Sequence, residues 1–247
     1  MPKRIFSPYE LNQLRQWMPH IDPDSISTNK PVEYLTGHTE FCGLDFLVTH
    51  DTLIPRLESE EIVNLALQFI DDHNLSHPVI ADIGTGSGCL GVSLAVKLSK
   101  QHSPYSIFLS DISPQALKVA DLNTQKLLHS PENIFFIESN LFENFPNIKF
   151  DLILANLPYI PSQNIKALDS SVKDFEPKMA LDGGSKGNLF INALLSKLPQ
   201  FLNRDGQAIL EINDTHTINS FTLPAGIQPT IQKDCFNKSR FLVCSYL

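Results

Sequence analysis

Four residues at the end of one apolar run have types and spacing that could do chemistry. The stretch "DLILANLPYIP" (151–161) carries apolar residues straight into Asn156, Leu157, Pro158 and Tyr159. A side-chain amide accepts through its oxygen and donates through its nitrogen. Pro158 restricts residue 157 to extended backbone, which fixes the direction of the Leu157 carbonyl. The Asn156 oxygen and that carbonyl could bind the two hydrogens of a planar NH2 group. So held, its nitrogen would shift towards sp3 geometry and face an electrophile. Tyr159 offers an aromatic face against which a planar group can pack. The alternative is a turn capped by Asn156, with Tyr159 in the core.

A second cluster is "ADIGTGSGCLG", in which Gly84, Gly86 and Gly88 follow an apolar run. The spacing is neither the dinucleotide fingerprint nor a P-loop. Glycines here let the backbone turn sharply and approach a ligand. Asp82 would repel a pyrophosphate, and it could bind an ammonium directly or through water. Asp111 ends the next apolar run, in "LSDIS", where a carboxylate can accept hydrogen bonds from ribose hydroxyls. Its alternative is an ordinary residue at a helix start. A nucleoside that carries an amino-acid ammonium and no phosphate satisfies both carboxylates. That describes S-adenosylmethionine, with S-adenosylhomocysteine as product. The segment Asp82, Ile83, Gly84, Thr85, Gly86, Ser87 and Gly88, with Asp111 and Ile112, is the expected cofactor site, bordered by Asn156.

The elements that must position these groups are legible as alternation. "PVIADI", "YSIFLSDI", "NIFFIES", "FDLILAN" and "GQAILEI" read as strands. "CLGVSLAVKLSK", "PQALKVADLNTQKLL" and "NLFINALLSKLPQFL" read as helices, the second with Ser113 as N-cap and Pro114 at its first position. The tail, "PTIQKDCFNKSRFLVCSYL", suggests two strands around a turn at "NKS". This pattern implies an α/β fold, a largely parallel sheet covered on both faces. Ligands in such sheets sit beyond the carboxyl ends of the strands, so the glycine loop, Asp111 and Asn156 would share one edge. Upstream, "SPYELNQLRQWM" reads as a helix and "PHIDPDSISTNKP" as a linker. Residues 31–56 read as short strands, with a hairpin in "EFCGLDFLV". "ESEEIVNLALQFIDDH" is helical, with acidic residues in its first turn. The expected division is 1–30, a short N-terminal helical segment; 31–56, linker and hairpin; and 57–247, the methyltransferase domain.

Composition narrows the function classes. Of 247 residues, 42% are hydrophobic and 19% charged, which supports a packed core. The net charge of −8 lacks the basic footprint of a nucleic-acid binder. Cys42, Cys89, Cys235 and Cys244 form no CxxC pair, and the eight histidines show no metal-ligand spacing. No metal is expected, and reduced thiols fit a cytoplasmic protein. No apolar run reaches membrane-spanning length, and "MPKRIFSPYELNQL" lacks a signal-peptide core.

With these motifs in place, the chain from about residue 31 onwards resembles the peptide chain release factor glutamine N5-methyltransferases, the PrmC or HemK family. The resemblance is carried by the "IPRxE" signature at Ile54, Pro55, Arg56 and Glu58. It continues in order through "DIGTGSG", "SDIS", "NLPYI", "FEPKMALDGG" and "KDCFNKSRFLV". It implies a seven-stranded class I methyltransferase sheet. It also implies that Asn156, Leu157, Pro158 and Tyr159 bind the glutamine amide of the GGQ tripeptide in class 1 release factors. Asn156, Pro158 and Tyr159 would be catalytic, Glu176 would border the substrate entrance, and Asn140 and Leu141 would flank the adenine. Arg56 would pair with Glu58 or Glu60. Three positions depart from the family pattern. Leu157 stands where the first of two prolines is usual, Asn140 where an Asp is usual, and Leu141 where an aromatic is frequent. "LEINDTH" also departs from the family's form. The implied partner is a release factor, and the implied state is a monomer that binds neither membrane nor nucleic acid. The alternatives are methylation of a ribosomal-protein glutamine, N6-adenine methylation, and a non-catalytic module that binds S-adenosylmethionine.

Overall fold

The computed structural model describes residues 4–247; Met1, Pro2 and Lys3 of the expected N-terminal segment lie outside the described residues. Helix α1 (Pro8–Trp17) is closed at its start by a capping box between Ser7 and Glu10. A five-residue helix α2 (Val32–Thr36) follows where the sequence pattern suggested a strand. The short apolar spacing of "PVEYLT" fits either element, and a left-handed Gly37 ends the helix. Strands β1 (His38–Phe41) and β2 (Leu44–Leu47) form the expected antiparallel hairpin, turning at Cys42 and Gly43. Helix α3 (Glu60–Asp72) leads into the sheet.

From here strands and helices alternate. They are β3 (Val79–Ile83), α4 (Cys89–Lys100), β4 (Ser106–Asp111), α5 (Pro114–Leu127), β5 (Ile134–Glu138) and β6 (Phe150–Ala155). Ser113 caps α5 through the Ala116 N–H, with Pro114 in its first turn. Short helices α6 (Ser170–Lys173) and α7 (Lys178–Leu181) precede α8 (Leu189–Leu195) and α9 (Leu198–Phe201). The sequence pattern suggested one helix for the last two. Pro199 in the first turn of α9 has no N–H to continue a helix from α8, and the chain breaks at Ser196–Lys197. Strands β7 (Leu202–Glu211), β8 (Ile227–Lys233) and β9 (Ser239–Tyr246) complete a seven-stranded sheet of order β5-β4-β3-β6-β7-β9-β8. The first five strands of that order are parallel. β9 runs antiparallel to both its neighbours.

Alternate strand residues feed two cores, one on each face. Ile80, Ile107, Leu109, Leu152 and Leu154 pack with α3, α4 and the hairpin residues Phe41 and Phe46. Ala81, Ile83, Ile153 and Ala155 pack with α8 and α9 on the other face. The hairpin is therefore part of the main core. Buried Asn123 of α5 bonds both the N–H and the carbonyl of Leu47 in β2, and donates to the Ser87 carbonyl in the glycine loop. Among the described residues, no helix is long and apolar enough to cross a membrane.

Candidate active site

Chain order places a crevice at one edge of the sheet. β3 connects towards β4 on one side, while β6 connects towards β7 on the other. Ligands bind where such connections diverge, beyond the carboxyl ends of the strands. A cavity of about 440 Å³ opens there, lined by Ile83, Gly84, Thr85, Gly86, Ser87, Asp111, Ile112, Asn140, Leu141, Asn156, Leu157 and Pro158, with Pro177 and Met179 at another wall. The glycine loop and the β6 corner touch. A Cβ placed on Gly84 would sit 2.9 Å from Leu157 Cδ2.

Asp111 is tied to the loop. The Gly86 N–H donates to one of its oxygens and the Ser113 N–H to the other, each at 2.9 Å. Burial raises its pKa, while backbone N–H groups of Ser113, Gly86 and Ile112 pull it down. Each oxygen keeps a lone pair for a further donor. Ile112 exposes an apolar side chain beside it. Asn140 is held by its Nδ2 donating to Glu143 at 2.9 Å, and Leu141 takes a left-handed backbone with φ 52°. Gly88 stands behind the loop as the N-cap of α4.

The corner after β6 rests on a carboxylate. Ala155 of β6 pairs with Leu210 of β7, which sets Asn156 beside Glu211. Asn156 Nδ2 donates to Glu211 Oε2 at 2.9 Å and to Ser59 Oγ at 3.0 Å. The Ser59 hydroxyl donates to the same Glu211 oxygen at 2.5 Å, and the Tyr159 hydroxyl to Oε1 at 2.8 Å. Glu211 is 1% exposed. Burial pushes its pKa up, against the donors Ser59 and Tyr159 and the more distant Arg240. Tyr159 is pushed up as well, by burial and then by the Glu211 charge. When ionised this carboxylate only accepts, and the Asn156 amide then keeps its nitrogen on Glu211. Its oxygen is left for another donor.

Several residues stand elsewhere than their sequence pattern suggested. Asp82 is fully buried and does not line the cavity. It shares the sheet face of Ile80, and its Oδ2 accepts from the Thr85 hydroxyl (2.6 Å) and the Gly91 N–H (3.0 Å) of α4. It shapes the loop from behind. Desolvation raises its pKa to about 6. Glu176 does not border the cavity either. Its buried carboxylate pairs with Arg56 at 2.6 Å, replacing the expected Glu58 or Glu60, and pins the 54–56 segment to the stretch before α7. Glu60 instead accepts from the Cys42 N–H in the hairpin turn. Tyr159 is not among the cavity-lining residues; its partly buried ring packs against the core and its hydroxyl serves Glu211. Sequence reasoning missed Ser59 and Glu211. The available signal was a charged residue ending the apolar run "GQAILEI" on the strand next to Asn156. Among the described residues, no group of three or more His, Cys, Asp or Glu side chains is placed to hold a metal.

Comparison with known proteins agrees with this geometry. The Methyltransferase small domain family matches residues 63–169. In the solved ribosomal protein L11 methylase of Lactobacillus delbrueckii subsp. bulgaricus the fold recurs. Its TM-score is 0.53 at 19% identity, over 81% of this chain and 83% of that one. The release factor glutamine methyltransferase of Geobacter sulfurreducens is 39% identical over 184 residues, which are 74% of this chain and 61% of that protein's length. The release factor glutamine methyltransferase of Leptospira interrogans is 36% identical over 221 residues. That second likeness runs through 88% of this chain and 75% of the Leptospira protein, and it makes this chain a member of the release factor glutamine methyltransferase family.

Proposed function

We propose that the chain transfers a methyl group from S-adenosylmethionine to the side-chain amide nitrogen of the glutamine in the GGQ tripeptide of class 1 release factors. The observation that carries this reading is the orientation of Asn156. Its nitrogen is taken by Glu211 and Ser59, so its oxygen accepts. With the Leu157 carbonyl it supplies two acceptors for the two N–H groups of a primary amide. Such an amide is a poor nucleophile because its lone pair is delocalised. Binding both hydrogens orients the nitrogen and favours the pyramidal form that attacks.

The residues present fit the cofactor. The cavity is within the range of small-molecule sites. Asp111, fixed by two backbone N–H groups, is set to accept from ribose hydroxyls. Ile112 and Leu141 provide apolar walls for a base, and the loop from Gly84 to Ser87 provides close backbone. Asp82 acts through that loop. When bound, S-adenosylmethionine supplies an electrophilic methyl: the amide nitrogen's pair forms the N–C bond, and the C–S pair returns to sulfur. The nitrogen then loses one proton to water, leaving a neutral N5-methyl amide. The transfer needs no metal, because the sulfonium already activates the methyl.

The glycine loop and the corner belong to the proposed domain of residues 57–247, preceded by segments 1–30 and 31–56; residues 50–53 and 55 of the second segment also line the cavity. A cytoplasmic monomer that meets its release factor directly fits the net charge of −8. The test is incubation of the protein with labelled S-adenosylmethionine and, in parallel, a release factor, ribosomal protein and RNA, followed by tandem mass spectrometry. Label on the GGQ glutamine is the expected result. Label confined to ribosomal protein or RNA, or none with cofactor bound, overturns the proposal.

A further inference from the structure

The Asn156 amide has two flips. One presents an oxygen to an incoming NH2 group, and the other presents a second NH2, which cannot accept. Without a discriminating partner the two differ little in energy. Glu211 discriminates, because a carboxylate accepts only and a charged acceptor strengthens the hydrogen bond it receives. The carboxylate is itself held from two sides, by Ser59 on Oε2 and Tyr159 on Oε1. Its charged surroundings are sparse. Arg240 from β9 acts on it from a distance while its guanidinium is bonded to Asp234, and Glu58 opposes from the turn before α3. No cation neutralises Glu211 by direct contact among the described residues.

We propose that Glu211 is a positioning residue for methyl transfer, holding the Asn156 oxygen towards the acceptor nitrogen and polarising it with a buried negative charge. This role rests on the methyl-transfer function proposed above. As the N–C bond forms, positive charge grows on the acceptor nitrogen. A fixed anion one side chain behind that nitrogen's partner is aimed at that charge before the reaction begins. Protonating Glu211 removes both effects, because a carboxylic acid can donate as well as accept.

The test has one readout in the free protein and one in turnover. In the free protein, the side-chain NH2 resonance of Asn156 is followed by 15N–1H NMR across the whole pH range in which the protein stays folded. It should move with a single titration whose midpoint lies above the ordinary glutamate range, and stay flat in Glu211→Gln. In turnover, Glu211→Gln should lower kcat by on the order of 10²-fold and abolish the acid limb of the kcat profile. S-Adenosylhomocysteine should bind as in wild type. Ser59→Ala removes a donor that holds the Glu211 pKa down. In that variant the NMR midpoint and the acid limb should both move to higher pH, a check that does not depend on Glu211→Gln folding. Wild-type kcat in Glu211→Gln, or an Asn156 resonance indifferent to pH, overturns the assignment. A wild-type protein that methylates no release factor overturns the function instead, and the NMR titration then still decides the hold of Glu211 on Asn156.

Discussion

Gly187 lies in a loop that straps the chain leaving the Asn156 corner. Ile160 N–H donates to Leu181 O, Gly183 N–H to Ile160 O and Ser162 N–H to Gly184 O, so residues 181–184 run against residues 160–162. Gly187 has φ 71°, and a Cβ there would lie 2.2 Å from the Tyr159 carbonyl oxygen and 3.1 Å from Pro161 Cδ. Both obstacles are held by backbone, so no rotamer change relieves them. To reach 3.0 Å the loop and the corner must separate by at least 0.8 Å. The left-handed backbone adds ~1 kcal/mol for alanine, and the overpacking ~1–3 kcal/mol. Gly187→Ala should therefore lose about 3 kcal/mol, or about 6–12 °C in Tm for a domain of this size. Because the shift bears on the backbone between Tyr159 and Pro161, kcat should also fall, by roughly 10-fold or more. Gly187 does not line the cavity, so S-adenosylhomocysteine affinity should hold. Gly43→Ala is the control. Its φ is 69°, but nothing lies within 4 Å of the added methyl, so only the conformational penalty of ~1 kcal/mol applies. Thermal melts, calorimetry with S-adenosylhomocysteine and single-turnover methylation read the three quantities. Equal Tm losses in the two variants, with full turnover in Gly187→Ala, would refute the strap.

Other substitutions separate the parts of the site. Asn156→Ala should keep S-adenosylhomocysteine affinity near wild type in calorimetry while turnover falls by on the order of 10²-fold; surviving activity would remove the corner from the chemistry. Asp111→Ala should weaken the same affinity by ~1–3 kcal/mol, and unchanged binding would take Asp111 out of the site. Asp82 supplies a stability test. Its folded pKa is raised from the ordinary 3.8 to about 6 by burial, so the fold favours its protonated form. That contribution is complete below about pH 4 and is lost as pH rises through about 6. Relative to Asp82→Asn, wild-type unfolding free energy should fall by ~2 kcal/mol between pH 4 and pH 7 in urea titrations; parallel curves for the two proteins would contradict it.

Much of the frame was legible in the sequence because the rules that made it are local. The Ser113-Pro114 helix start, the hairpin turn at Cys42-Gly43 and the apolar runs each depend on neighbours in the chain. The sheet edge was legible too, since a glycine loop after one strand and a polar corner after another must meet at the carboxyl ends of parallel strands. What failed was side-chain direction and distant pairing. Asp82 stands two residues from Ile80, and strand alternation turns both to the face of α4, where the Gly91 N–H and the Thr85 hydroxyl take the Asp82 carboxylate. Glu176 meets Arg56 across 120 residues, and no spacing near either one encodes that pair. Ser59 lies in an acidic stretch that reads as a helix start. The β6–β7 register sets Glu211 beside Asn156, and the packing of α3 on β7 brings Ser59 to the same carboxylate. The break between α8 and α9 was written as Pro199, inside a run whose apolar spacing continues on either side.

The central claim is that the Asn156 oxygen and the Leu157 carbonyl together grip an acceptor amide. It is tested most directly by a crystal structure of the protein with S-adenosylhomocysteine and a peptide containing the GGQ sequence. The account predicts the glutamine NH2 within hydrogen-bond reach of both oxygens, with Asn156 Nδ2 still on Glu211. An amide bound elsewhere, or an Asn156 side chain flipped to present its nitrogen to the glutamine, would contradict it.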